Sequence, residues 1–358
     1  MAGNSAQKQV PYVVTLGTAG GPRWWQEPDH TVPRAGIATA VVVGDSVYLV
    51  DCGDGTGANL ARSGLGFERL RGIFLTHLHS DHVAGLGSLL LFGLYEMASA
   101  ESRVQIYGPG NRGGYPGYSP EQLSRAVGGS NPTPGTEEMV ELLVRAHAAD
   151  LNERILDSRR ARPDEVFAVH DIPLPEQLGF DPETNPTPSH EPFVVFRDDA
   201  VTVSAVLVRH PPVAPAFAFR FDTAAGSVTI SGDTAACENV VALARDCDLL
   251  LHEAIDLEWV QSRFPASADQ RSEAARSHHL RAHTSVAEAV DIAQRSNSRQ
   301  LALHHLVPGN TPRQRWLDWA SGFPGRFHVP SDLEVIPFGY QELADPGLAA
   351  APGANRAR

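Results

Sequence analysis

Lysine is nearly absent from this chain. Lys8 is the only one among 358 residues, so arginine carries almost all of the positive charge. Against 29 basic residues stand 42 acidic ones, a formal net charge of −13. That balance disfavours a broad nucleic-acid surface, because phosphate binding draws on clustered Lys and Arg. It also disfavours an anionic membrane as the resting place. Cysteine is scarce as well. Cys52, Cys237 and Cys247 are odd in number, widely spaced and without a CxxC pair. Neither a disulfide framework nor a thiolate zinc site is therefore expected. No segment approaches the ~20 apolar residues that a membrane helix requires, and residues 1–10 lack an apolar signal core. A cytoplasmic location is expected, with no membrane partner.

What is present is a substantial core. Hydrophobic residues make up 42% and charged residues 20% of the chain, so global disorder is not expected. Strand-like runs open it: Tyr12 to Leu16, then Ile37 to Val43 and Val47 to Val50 around a Gly44-Asp45 turn. Helical spacing follows near Ala58 to Ser63, and a buried strand covers Ile73 to Leu75. From about 110 to 192 the composition changes to glycine- and proline-rich loops with a helical pattern from Pro134 to about Asp157. This stretch is expected to be an insertion of loops plus one long helix within a single domain spanning 11–343. Its Tyr115 and Tyr118 are expected in the substrate pocket wall. Strands resume at Phe193 to Phe196, Val201 to Val208, Ala216 to Phe221 and Ser227 to Ile230. A helix is expected from Ser285 to Gln294, where Ser285 and Glu288 form a capping box. The two strand-rich stretches suggest two similar halves. Residues 344–358, rich in Ala, Gly and Pro, are expected to be a disordered tail.

The chemistry concentrates in Thr76-His77-Leu78-His79-Ser80-Asp81-His82, directly after the buried strand. Imidazole nitrogens and a carboxylate oxygen suit Zn²⁺, with Mn²⁺ or Fe²⁺ also acceptable to such a donor set. His77 and His79 can face one ion while Asp81 and His82 face a second. A surface loop that is merely His-rich is the bland alternative. Four candidate ligands in six residues make it the weaker one.

HLHSDH resembles the HxHxDH signature of the metallo-β-lactamase superfamily. The flanking Ile73-Phe74-Leu75-Thr76 and Val83-Ala84-Gly85-Leu86 resemble the branch of ribonuclease Z and the zinc arylsulfatases. The resemblance implies an α/β fold, the αββα sandwich of two mixed β-sheets flanked by helices, with two Zn²⁺ at one edge. It carries His210, Asp233 and His305 into the ligand set, with Asp233 bridging both metals. The pair His304-His305 leaves two choices, and the motif favours His305. By the same resemblance, Glu253 and His283 act near the leaving group, the carboxylate fixing the imidazole tautomer. Asp51 matches a supporting aspartate behind the ligand loop. His278 and His279 receive no role. Arg209 is read first as a surface residue and second as a contact for an anionic substrate group.

The expected activity is a dinuclear zinc hydrolase of a small ester: a sulfate ester, a phosphodiester, or a carboxylic ester or lactone. An ionised water between the metals is the implied nucleophile, and Asp81 orients it besides binding metal. The expected partner is thus a small molecule. Dimers are usual among such relatives, but the residues do not state the assembly. Two alternatives stand beside this reading. One is an RNA 3′-end processing nuclease, which the site residues permit and the acidic balance disfavours. The other is a non-catalytic metal-binding protein.

Overall fold

β-Branched runs build the first strands. Ala38–Val43 and Ser46–Val50 pair as an antiparallel hairpin, and Gly44 supplies the left-handed φ of +57° at its turn. The computed structural model describes residues 10–26, 32–96, 103–266, 269–320 and 322–339. Lys8 and the expected tail at 344–358 lie outside the described residues.

Fourteen strands are described, in chain order: β1 Tyr12–Gly17, β2 Ala38–Val43, β3 Ser46–Val50, β4 Leu70–Phe74, β5 Val104–Gly108, β6 Phe167–Asp171, β7 Phe193–Arg197, β8 Thr202–Leu207, β9 Phe217–Asp222, β10 Ser227–Ile230, β11 Leu249–Ile255, β12 Gln300–Val307, β13 Arg326–His328 and β14 Glu334–Pro337. They form two seven-stranded sheets, ordered β14-β1-β2-β3-β4-β5-β6 and β13-β12-β11-β10-β9-β8-β7. In the first, β3 to β6 run parallel and the rest antiparallel. In the second, β10 to β13 run parallel and the rest antiparallel. Both sheets are mixed, and each half repeats the other's pattern.

The sheets face each other across an aromatic core. Phe74 lies 5.3 Å from Phe221 edge-to-face and 5.7 Å from Phe219, and all three side chains are fully buried. Helices cover the two outer faces. Leu86–Glu96 and Thr136–Ala146 pack on the first sheet through Leu89, Leu90 and Val140. Glu238–Leu243 and Val286–Arg295 pack on the second through Val240, Val290 and Ala293. The Ser285–Glu288 capping box starts the last of these. The order of layers is therefore helix, sheet, sheet, helix, the αββα sandwich.

The stretch from 110 to 192 departs in detail from a single long helix. Two helices, Thr136–Ala146 and Ala148–Ser158, meet at His147, where φ is −108° and ψ is 18°. A straight helix of that length would run to roughly 34 Å at 1.5 Å per residue. The five-residue strands it covers span only about 17 Å. The break keeps both Val140 and Leu151 on the same core. Strand β6 also lies in this stretch, paired in parallel with β5. Its sequence, FAVHD, is short and does not alternate apolar with polar residues; pairing with β5 defines it.

Candidate metal centre

Three loops and one strand at one edge of the sandwich carry the chemistry. The first leaves β4, and its anchor is Asp51, just beyond β3. Asp51 is buried, with a left-handed φ of 61°. Its carboxylate accepts the Thr76 N–H at 2.8 Å and the Thr76 hydroxyl at 2.9 Å. It also lies 2.8 Å from His82 Nδ1. This ties the loop to the neighbouring strand end and turns His82 Nε2 toward the centre. Gly53 is needed beside it, because a Cβ there would stand 2.4 Å from the Asp81 carbonyl oxygen. The second loop follows β8 and holds His210, whose Nδ1 lies 2.9 Å from the Ala282 carbonyl oxygen. The third follows β10 and holds Asp233. The fourth position is within β12.

The two candidates in β12 separate clearly. The register between β11 and β12 shifts after Glu253, which faces His304, while Ala254 faces Leu306. His305 is the extra residue, and its φ of 47° is left-handed. The bulge turns its ring to the centre, 3.2 Å from Asp81 Oδ2 and 3.2 Å from Asp233 Oδ1. His304 stays in the strand, buried, with no hydrogen-bond partner on either ring nitrogen.

Seven residues from these segments come together in two sets that share Asp233. His77, His79, His210 and Asp233 offer one ligand atom each, all within 4.8 Å of one another. Asp81, His82, Asp233 and His305 do the same. Asp233 divides its oxygens between them. Oδ2 lies 3.9 Å from His77 Nε2 and 3.8 Å from His210 Nε2, while Oδ1 lies 3.3 Å from His82 Nε2 and 3.2 Å from His305 Nε2. Asp81 is steadied by the Gly21 N–H, which donates to Oδ2 at 2.8 Å.

The donor atoms fit divalent cations. His77 Nε2, His82 Nε2 and Asp233 Oδ1 are buried without a hydrogen-bond partner, an arrangement that costs about 1–3 kcal/mol per group unless something else satisfies it. Burial holds the pKa values of His77, His79 and His210 below the usual range, so these rings are neutral, as ligands must be. Burial opposes ionisation of Asp233, yet His305 and His82 overcome it and keep the carboxylate charged. Around His82 burial also loses, here to Asp233, Asp51 and Asp81, which raise its pKa well above the usual value. So many carboxylates converging on imidazoles form a nest for positive charge.

Glu253 and His283 stand beside these sets. Glu253, on β11, lies 3.0 and 3.1 Å from His283 Nδ1 and accepts the Thr234 N–H at 2.8 Å. Burial works against a charge on His283, but Glu253 pushes its pKa up to about 9. A third set of possible ligand atoms joins Glu253, His283 and His305. His278 and His279, half-buried, lie within 5.8 Å of the His283 ring. Arg209 is exposed. Sequence reading missed the Gly20–Gly21 backbone, which packs on His305 and holds Asp81. The pair of glycines ending GTAGG was the available signal.

Comparison with known proteins places this geometry. A family model described as anti-Pycsar protein Apyc1 matches residues 39–111. Ribonuclease Z of Mycobacterium sp. (strain KMS) is 30% identical over 307 residues, 85% of this chain and 90% of the relative. Human tRNase Z, short form, aligns in structure with a TM-score of 0.56 and 23% identity, over 92% of this chain and 100% of that one. The metallo-β-lactamase fold protein YhfI from Bacillus subtilis aligns with a TM-score of 0.54 and 19% identity, over 91% and 99%. The last two likenesses are of fold.

Two expectations are corrected here. A small-ester substrate, and nucleic acid as a disfavoured partner, do not stand against likeness to a ribonuclease across 85% of this chain. The sulfate-ester option falls with them. The physical fault lies in the use of net charge. A value of −13 sums the whole chain, whereas RNA recognition needs only local groups where the backbone docks. Among the described residues no helix is long and apolar enough to cross a membrane.

Proposed function

Because the chain belongs to the ribonuclease Z family of the metallo-β-lactamase superfamily and is a metal-dependent hydrolase, we propose that it is an endonuclease processing the 3′ end of precursor RNA. Transfer RNA is the substrate class named for its human structural relative. The observation that carries this reading is 30% identity across 90% of a ribonuclease Z, joined to a two-set site in the same chain. Three unpaired cysteines suit the cytoplasm.

His77, His79, His210 and Asp233 would hold one Zn²⁺, and Asp81, His82, Asp233 and His305 a second; Mn²⁺ or Fe²⁺ would suit the same donors. Bound there, the cations supply Lewis acidity toward the phosphodiester and make water easier to ionise. The protein's own groups do the rest. Asp81 is held by the Gly21 N–H, which donates to Oδ2, and its carboxylate can also accept a hydrogen bond from the attacking water. Glu253 accepts a hydrogen bond from the Nδ1–H of His283 and so fixes the ring. Nε2 is then the nitrogen that delivers a proton to the departing oxygen. The walls that exclude bulk water strengthen each of these contacts.

The test is direct. Zn²⁺-supplemented protein is incubated with a precursor tRNA bearing a 3′ trailer, and products are sized on a denaturing gel. One cut near the mature 3′ end is expected. It should vanish with a chelator and in His79→Ala. Intact RNA beside full metal content would refute the assignment.

A further inference from the structure

Next to His79 the surface opens into a cavity of about 300 Å³. His79 lines the cavity and also belongs to the first ligand set, so anything bound there sits beside the reacting centre. Apart from Arg112 and Thr133 the remaining wall is largely apolar, with Tyr115, Met139, Pro212 and Val213 in it.

The cation in this wall, Arg112, is already committed. Its Nε donates to the Gly114 carbonyl oxygen at 3.1 Å. One terminal nitrogen donates to the Pro212 carbonyl oxygen, and the other pairs with Glu183. Its side chain is only 9% exposed. A guanidinium bound on all three nitrogens has little left for a phosphate. What it does is clamp three distant segments and hold Tyr115, over whose ring it lies at 5.3 Å. Tyr118 packs against the same ring in a T-shaped pair, 5.6 Å between centroids and 81° between planes. Tyr115 is thus a fixed aromatic platform in a pocket without free charge.

Such a pocket suits a flat, uncharged, polarisable group. We infer that the cavity walled by His79, Tyr115 and Pro212 binds the nucleobase of a nucleotide flanking the scissile phosphodiester. The inference rests on the endonuclease reading and names where that substrate is gripped. The base leaves the RNA stack and lies on Tyr115, while its phosphate reaches the ligand sets past His79. Stacking of this kind tolerates any base, because every base has a π face.

The experiment uses precursor RNA with an abasic ribose placed on either side of the cleaved bond. Wild type, Tyr115→Phe, Tyr115→Ala and, elsewhere in the wall, Met139→Ala are compared by kcat/KM. For wild type and Tyr115→Phe, removing the base at one of the two positions should cost about 5- to 150-fold, the equivalent of about 1–3 kcal/mol of stacking. In Tyr115→Ala the same removal should cost little more, since the platform has gone. A 4-thiouridine at that position should crosslink to this wall on irradiation, mapped by mass spectrometry. Thermal melts identify a variant that fails to fold, in which case Met139→Ala carries the same non-additivity. Equal abasic penalties in wild type and both alanine variants would overturn the subsite and leave the endonuclease standing. Wild-type protein that cuts no precursor RNA would remove both.

Discussion

Asp51 never needs to touch a cation, yet its replacement by Asn should loosen one ion and spare the other. Asn is the apt probe because it tolerates the left-handed backbone that Asp51 adopts at φ 61°. Its amide oxygen can still accept the Thr76 N–H, now 2.8 Å from Asp51 Oδ1. The Thr76 hydroxyl can rotate to accept from the new amide. His82 cannot be accommodated. Its Nδ1 lies 2.8 Å from Oδ2, and in the variant an N–H would face another N–H there. The ring escapes by moving its proton to Nε2, the nitrogen aimed at Asp233 Oδ1. That tautomer cannot bind a cation through Nε2. Loss of such a supporting contact weakens metal binding by about 10- to 100-fold, or about 1.4–2.8 kcal/mol. His82 belongs to the set with Asp81 and His305, so the loss should fall on the second cation. Chelator titration with a zinc-sensitive dye reads this as two steps. The variant should release one ion at a chelator level about 10- to 100-fold lower than wild type and keep the other unchanged. Release of both ions in parallel, or no change in either step, would refute the reasoning.

Four further substitutions test other parts of the structure. Glu253→Gln removes the charge that fixes His283 (3.0 Å) without touching either ligand set; kcat on RNA should fall about 100-fold or more with metal content intact, and a substrate with a good phenolic leaving group should suffer far less. His305→Ala should halve the zinc found by elemental analysis, whereas His304→Leu, replacing a buried ring with no hydrogen-bond partner, should leave it unchanged; the opposite pattern would mean that the bulge points the wrong histidine inward. Phe74→Ala opens a void between the sheets where Phe219 and Phe221 now pack within 5.7 Å, and urea unfolding should show a loss of about 3–5 kcal/mol.

What could be read from the chain, and what could not, follows from how far apart the interacting residues lie. His77, His79, Asp81 and His82 share one loop, so their chemistry was visible in a heptapeptide. Most strands were legible for the same reason: alternation and β-branching are local. The capping box at Ser285 and Glu288 is local too, and the helix starts there. The choice between His304 and His305 is different in kind. It depends on a register shift against β11, fifty residues away in the chain, and no pattern within β12 announces it. The break at His147 likewise answers to the length of strands elsewhere. Substrate class was hardest of all. Arg112 reaches Pro212, a hundred positions on, and Glu183 between them, so the wall beside His79 exists only after folding. Net charge was the one global quantity available in its place, and it pointed away from RNA. A net acidic total does not exclude a polyanionic substrate, because recognition draws on the local groups where the backbone docks and not on the sum over the chain.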